Sequence, residues 1–216
     1  MKALPLVLLV MGMTSSLAVA QVSQVTLTMS SSNQYLIRND FIGSDESMAL
    51  ATLIGGQVPP GSQFIRFDAG QQAYLPTITR DRSGSWGPGG TTVLERGVAY
   101  WLRIPPQGGL VVSSHYQVTL SGTIPAAATT VPVRPQANPI GYPYPVTQYW
   151  TNTQLAKSCP QGSSVSFWDP ISRIFSTAAR GTRAWVPATN KATAGQGYFV
   201  NFKSLVPTNI VEPLPY

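Results

Sequence analysis

Apolar and polar residues alternate with a period of two along much of this chain. Val25, Leu27 and Met29 alternate with Gln24, Thr26 and Thr28; Tyr116, Val118 and Leu120 alternate with Gln117, Thr119 and Ser121. That period puts one set on each face of a pleated ribbon, so both stretches are predicted as half-buried β-strands. They are also near copies of each other, QVTLT at 24–28 and QVTLSG at 117–122. Further short apolar runs lie between turn signals such as Pro59-Pro60-Gly61 and Pro88-Gly89-Gly90, extending the strand reading over most of the chain. Helical periodicity is scarce. Its best example, Glu46 to Leu53 with Ser44 and Asp45 as caps, predicts about two turns. The expected fold is all-β, sandwich- or barrel-like, with at most one or two short helices.

The first twenty residues follow a different pattern. Lys2 precedes an apolar run from Leu4 to Met13, and Ala18-Val19-Ala20 follows it. This is the layout of a cleavable secretory leader, with cleavage expected after Ala20 and Gln21 as the mature N-terminus. No cysteine directly follows that point to carry a lipid, and no later stretch holds the roughly 18 apolar residues that span a bilayer. The expected location is extracellular or on the cell surface.

Rare residues recur in order. PPGSQFIRFDAGQQAY (59–74) aligns with CPQGSSVSFWDPISRIF (159–175), placing Gly61-Ser62 on Gly162-Ser163, Phe67-Asp68 on Trp168-Asp169 and Tyr74 on Phe175. Trp86 meets Trp185, and Gly97 to Leu102 meets Gly195 to Val200. Such ordered matches predict a tandem duplication. Each Gly-Ser pair is read as closing a turn, and Asp68 and Asp169 as bonding their own downstream backbone. The proline-bearing stretch 123–137 reads as a linker. The expected organisation is therefore an N-terminal strand at 21–32, one module at 33–122 and a second at 138–216.

These motifs resemble those of uncharacterised exported bacterial proteins built from tandem β modules. The resemblance rests on Asn138-Pro139-Ile140-Gly141-Tyr142-Pro143, the two Gly-Ser to Asp segments, and the closing Gly97 to Trp101 and Gly195 to Phe199. The first module departs from it at its opening, NQYLIRNDF, which lacks those prolines. The resemblance implies export and β modules, not an activity.

The repeated strand raises a question of pairing. The second module ends in KSLVPTNIVEPLPY, whose prolines cannot donate to a central ladder. Residues 21–29 are thus a strand without an obvious place. Three pairings satisfy the pattern: within the first module, with the second module of the same chain, or with a neighbouring chain. Under the last, Val25, Leu27 and Met29 form a donor strand that joins subunits into a polymer.

Composition narrows the chemistry. Formal net charge is +6, and loss of Lys2 leaves thirteen bases against eight acids. No basic run suggests a nucleic-acid tract, so no nucleic-acid partner is expected. His115 is the only histidine and Cys159 the only cysteine. A catalytic triad, a histidine-rich metal site or an internal disulfide therefore has few residues to draw on, and no cofactor or metal is expected. Cys159 reads as a partly buried small hydrophobe. Repeat-equivalent aromatics (Trp86/Trp185, Trp101/Phe199, Phe67/Trp168) read as core. Trp150 with Tyr142, Tyr144 and Tyr149 lacks a clear counterpart and is expected to form an exposed contact patch. The expected function is a non-enzymatic structural subunit of an extracellular or cell-surface assembly (filament, tube or layer), with itself as partner. The alternative is a secreted carbohydrate- or surface-binding module that recognises envelope polysaccharide through aromatic rings.

Overall fold

The computed structural model describes residues 22–45, 48–106 and 114–215. The expected leader at 1–20 lies outside them, as does Glu46. The chain is mostly β, in several sheets, with no closed barrel. The first half holds β1 (Val22–Ser30), β2 (Gln34–Arg38), β3 (Gln63–Ile65), β4 (Phe67–Asp68), β5 (Ala73–Tyr74), β6 (Ile78–Thr79), β7 (Ala99–Arg103) and β8 (His115–Thr123). The second half holds β9 (Thr129–Val133), β10 (Gln136–Ile140), β11 (Gln148–Tyr149), β12 (Ser164–Asp169), β13 (Ile174–Arg180), β14 (Trp185–Val186), β15 (Lys191–Ala192), β16 (Tyr198–Phe202) and β17 (Thr208–Glu212). The central sheets run β2-β7-β3-β6 and β10-β16-β12-β13-β14, and each half adds a two-stranded ribbon, β1-β8 or β9-β17.

The predicted helix 46–53 shrinks to α1 (Leu50–Leu53). The chain just before it is held extended by the 92–94 segment, through Leu50 N–H to the Thr92 carbonyl at 2.8 Å and Leu94 N–H to the Met48 carbonyl at 2.9 Å. These tertiary bonds outweigh the local helical preference. The counterpart α2 (Gln154–Ser158) begins at Thr153, whose hydroxyl accepts the Ala156 N–H at 3.0 Å. Glu212 also accepts the N–H groups of Gln154 and Leu155, satisfying orphan donors of the first turn.

The stretch expected as a linker, 123–137, is partly strand. Thr129, Val131 and Val133 of β9 point into the second half's core, while Thr130 and Pro132 face out. β9 pairs with β17 from Val133↔Thr208 to Thr129↔Glu212. The proline-bearing tail thus supplies a short closing strand after all, because its prolines fall outside Thr208–Glu212. β1, for which the sequence leaves three pairings open, takes the one within the first module: it lies antiparallel on β8 in nine consecutive pairs from Val22↔Thr123 to Ser30↔His115. Both ribbons have the same place in their halves.

The halves repeat their hydrogen bonds. Gly61 N–H donates to the Arg80 carbonyl at 2.7 Å, and Gly162 N–H to the Arg180 carbonyl at 2.8 Å. Trp86 Nε1 donates to the Gly55 carbonyl at 3.3 Å, and Trp185 Nε1 to that of Ala156 at 3.0 Å. Gly97 and Gly195 take φ of 79° and 73°, a backbone region that favours glycine.

The contacts between halves are reciprocal too. Arg38 N–H donates to the Gly195 carbonyl at 3.0 Å, and Gly141 N–H to the Gly97 carbonyl at 3.1 Å. The hairpin of β4 and β5 reaches across, where Gln72 exchanges two 3.0 Å bonds with the Ala137 backbone. The hairpin of β12 and β13 reaches back, with Arg173 donating to Asn33 Oδ1 and to the Ser32 carbonyl, both at 3.1 Å. Between the two arms runs a row of rings: Tyr74, Phe67, Phe199, Trp101, Trp168 and Phe175, with neighbouring centroids 5.0–6.2 Å apart. At the seam Gly197 faces Ala99 so closely that a Cβ on Gly197 would fall 2.3 Å from that of Ala99.

One seam interaction has no counterpart. The buried Arg38 and Asp40 form an ion pair. The Arg38 guanidinium also donates to the carbonyls of Gln196 at 2.8 Å and Thr193 at 3.2 Å, and Asp40 accepts the Gly195 N–H at 2.7 Å. Burial pushes the Asp40 carboxyl up to about 6, against the opposing pull of Arg38 and the Gly195 N–H.

Two outcomes follow for stability, both measured by denaturant unfolding. Gly197→Val forces atoms into the space of Ala99 and should cost about 1–3 kcal/mol. Arg38→Met leaves the buried Asp40 carboxylate unpaired and should cost about 3–5 kcal/mol at neutral pH. In that variant the folded-state Asp40 pKa rises further above its unfolded value of 3.8. The folded chain then binds this proton more tightly, so the deficit should shrink as pH falls through the raised pKa.

Candidate functional site

A groove of about 830 Å³ runs between β1 and the second half. One wall is Val25 to Thr28 with Ser30, and the opposite side is formed by Tyr35 to Ile37, Trp168 to Ile171, and Thr193 to Gly197 without Gly195. Period-two alternation builds the first wall. The Val25 and Leu27 side chains turn inward onto Gly195, where an added Cβ would lie 2.8 Å from Val25 Cγ1 and 3.1 Å from Leu27 Cδ2. Gln24, Thr26 and Thr28 face solvent, and Met29 is fully buried. The three residues expected as a donor strip thus pack within their own chain.

The backbone of β1 has an orientation that its partner reveals. Thr119 faces Thr26 in the β1–β8 ribbon. Yet Thr119 N–H donates to Gln57 Oε1 at 2.7 Å, and its carbonyl accepts from Gln57 Nε2 at 3.0 Å. The Thr26–Thr119 pair is therefore of the non-hydrogen-bonded kind, in which both residues point their peptide groups away from each other. On β8 the outward groups at this level meet the Gln57 amide, which mimics a strand residue. On β1 the outward groups of Gln24, Thr26 and Thr28 face the groove side, and no strand pairs with them among the described residues.

Trp168 and Ile171 come from the tip of the β12–β13 hairpin. Asp169 shapes that tip by accepting the Ile171 N–H at 2.8 Å and the Ser172 hydroxyl at 2.8 Å. Those bonds, Ser172 first, hold its carboxyl below the usual range. The Trp168 indole donates to the Gln34 carbonyl at 2.7 Å, and Ile171 is left 88% exposed. Asp68 makes the matching turn in the first half, accepting the Gly70 N–H at 2.7 Å. Both aspartates are turn residues, as their motif predicts.

The groove is lined mostly by apolar and uncharged polar side chains. His115 lines one end of it, and the Asp169 carboxylate is committed to its own turn. Among the described residues no group of three or more His, Cys, Asp or Glu could hold a metal ion. No helix among the described residues is long and apolar enough to cross a membrane.

The expected aromatic contact patch is corrected. Tyr142, Tyr144 and Trp150 are buried, Trp150 to 1% exposure, and only Tyr149 is exposed. Trp150 packs edge-on against Trp185 at 5.3 Å and Tyr198 at 5.1 Å, and Tyr144 donates its hydroxyl to the Glu212 carbonyl at 2.7 Å. The aromatic, proline-rich opening of the second module folds into its core, with the Tyr144 hydroxyl tied to Thr129 of β9 and Glu212 of β17 and with Trp150 enclosed by Phe167, Trp185 and Tyr198. Conversely, Phe67, Trp168 and Phe199, expected as core, are half-buried at the seam. Sequence reasoning did not single out Gln57, the Thr193–Gly197 segment or the Arg38–Asp40 pair. The repeat signal Gly195 was the available pointer to the second of these.

Compared with protein-family models, curated proteins and solved structures, the chain has no match.

Two measurements check these assignments. Trp150→Ala should destabilise the protein by about 3–5 kcal/mol, as loss of a fully buried indole does, seen as a lowered melting temperature. Burial pushes the Cys159 thiol up to about 12, so a thiol reagent at mildly alkaline pH should react with it far more slowly in the folded protein than in the denatured chain.

Proposed function

We propose that this chain is a non-enzymatic structural subunit, exported and assembled outside the cell or on its surface, and built from two copies of one duplicated β module. The observation that carries the reading is the long strand edge of β1, uncharged from Val22 to Ser30 and bordered by an apolar groove. Soluble β proteins ordinarily guard such an edge with charge, proline or a covering element. The repeated hydrogen bonds of the halves support the duplication. Sparse charge and the commitment of the groove's one aspartate to a turn support a contact role over a catalytic one.

Donation of β1 itself to a neighbour has less support than association through its free edge. Donation would dissolve nine pairs with β8 and expose Met29. A polysaccharide-binding role is the second reading, favoured by Trp168 and Tyr35 in the groove. Against it, the Trp168 ring already packs edge-on with Trp101 at 5.4 Å and Phe175 at 5.0 Å.

Negative-stain imaging of the concentrated mature protein, with light scattering across a dilution series, tests the assembly reading. Concentration-dependent oligomers or ordered assemblies are the expected result. A strictly monomeric protein whose migration is retarded in polysaccharide gels would replace the assembly reading with the second one.

A further inference from the structure

Resting on that reading, the geometry points to an isologous dimerisation site: we infer that the free edge of β1 pairs antiparallel with β1 of a second copy, centred on Thr26. The first support is the edge itself. The outward peptide groups of Gln24, Thr26 and Thr28 are unpaired by any strand among the described residues, and a groove runs beside them. On β8 the outward groups are covered at two levels, by the Gln57 amide at Thr119 and by Ile42, which exchanges bonds of 3.0 and 3.1 Å with Thr123. The protein thus covers part of one edge of the ribbon and leaves Gln24 to Thr28 on the other without a strand among the described residues.

The second support comes from the counterpart ribbon. β9 carries Pro132 within its paired stretch, opposite Asn209, and a proline inside a strand is tolerated where its missing N–H faces away from the ladder, which makes that edge a poor template for strand addition. Two ribbons in one fold therefore differ at the point that controls edge pairing. β1 holds no proline, glycine or charge from Val22 to Ser30.

The occupant follows from β8. Its sequence, Gln117-Val118-Thr119-Leu120-Ser121, is nearly that of β1, Gln24-Val25-Thr26-Leu27-Thr28, and it lies antiparallel on β1 about the Thr26–Thr119 pair. In that arrangement Val25 faces Leu120, Leu27 faces Val118, and the two threonine hydroxyls bond at 3.0 Å. The fold thereby contains a working example of this strand paired with a near copy of itself. A second β1 on the opposite edge would keep that register, with Thr26 opposite Thr26 and Gln24 opposite Thr28 of the second copy, but as hydrogen-bonded pairs, because there the outward peptide groups of these residues meet. Since no residue of Val22–Ser30 is charged, a twofold arrangement sets no like charges face to face. Three hydrogen-bonded residue pairs would form about six backbone bonds. With one such edge per chain, this contact closes at two copies; any larger assembly uses another surface.

Charge exchange on the solvent face tests the register. In the mature full chain, Gln24→Lys with Thr28→Lys sets lysine opposite lysine across the twofold, and should weaken the dimer about tenfold or more in light scattering. Gln24→Glu with Thr28→Lys sets glutamate opposite lysine in the same register and should restore it. Melting temperatures of both variants should match the parent, since both side chains are exposed. In the parent, amide exchange at Thr26 should slow with rising protein concentration. A dimer unmoved by the double lysine, or a glutamate–lysine variant as weak as the double lysine, overturns the β1 pairing while leaving the assembly reading in place. A parent that is monomeric throughout the dilution series overturns both.

Discussion

The fold depends on how closely its two halves approach at the seam. Gly197 lies against Ala99 with no room for another methyl group. That distance lets the bonds from Arg38 to Gly195 and from Gly141 to Gly97 form. It also lets each half's hairpin arm reach the opening strand of the other, so Gln72 and Arg173 hold backbone that belongs across the seam. The row of six rings fills the space between the arms. Reciprocal contacts of this kind are those of an isologous dimer, here formed within one chain. The leaning of Val25 and Leu27 on Gly195, and of Val131 on Gly97, belongs to the same arrangement.

The two ribbons show how similar elements are put to different ends. β9–β17 closes over the second core, and Pro132 makes its outer edge a poor template for a further strand. β1–β8 closes over the first core, with Gln57 standing in for a strand on one side only. The repeated QVTL segment gains a plain physical meaning from this. Two strands that must pair antiparallel about a central threonine are well served by nearly the same alternation, because each presents Val or Leu inward and Thr or Gln outward.

Much of this was legible in the sequence. Period-two alternation located β1 and β8, and the ordered Gly-Ser, Asp and Gly-aromatic anchors located the turns and closing strands of both halves. Asp68 and Asp169 behave as their motif implies because an Asx turn is a local interaction. What escaped was long-range. Prolines in 123–137 and 203–216 suggested a linker and a tail without a long closing strand; the first contributes β9 and the second a short β17, since proline is tolerated on an edge strand or just beyond a strand's end. Trp150 looked exposed because it lacked a counterpart, but burial there is set by the rings of Phe167, Trp185 and Tyr198, which arrive from later parts of the chain. Helix 46–53 shortened for the same reason, through bonds from residues 92–94. The groove is formed by segments from five parts of the chain, and its clearest periodic signal is in the β1 wall.

Arg38 and Gly141 occupy matching positions on either side of the seam, and an added Cβ on Gly141 would fall 1.9 Å from Arg38 Cδ. One long side chain therefore fills a space that two equal halves would have to share. A pair of identical modules cannot both carry arginine there, because each would claim the volume of the other. At this place the two halves are therefore not interchangeable, and the seam accepts the arginine from one side only.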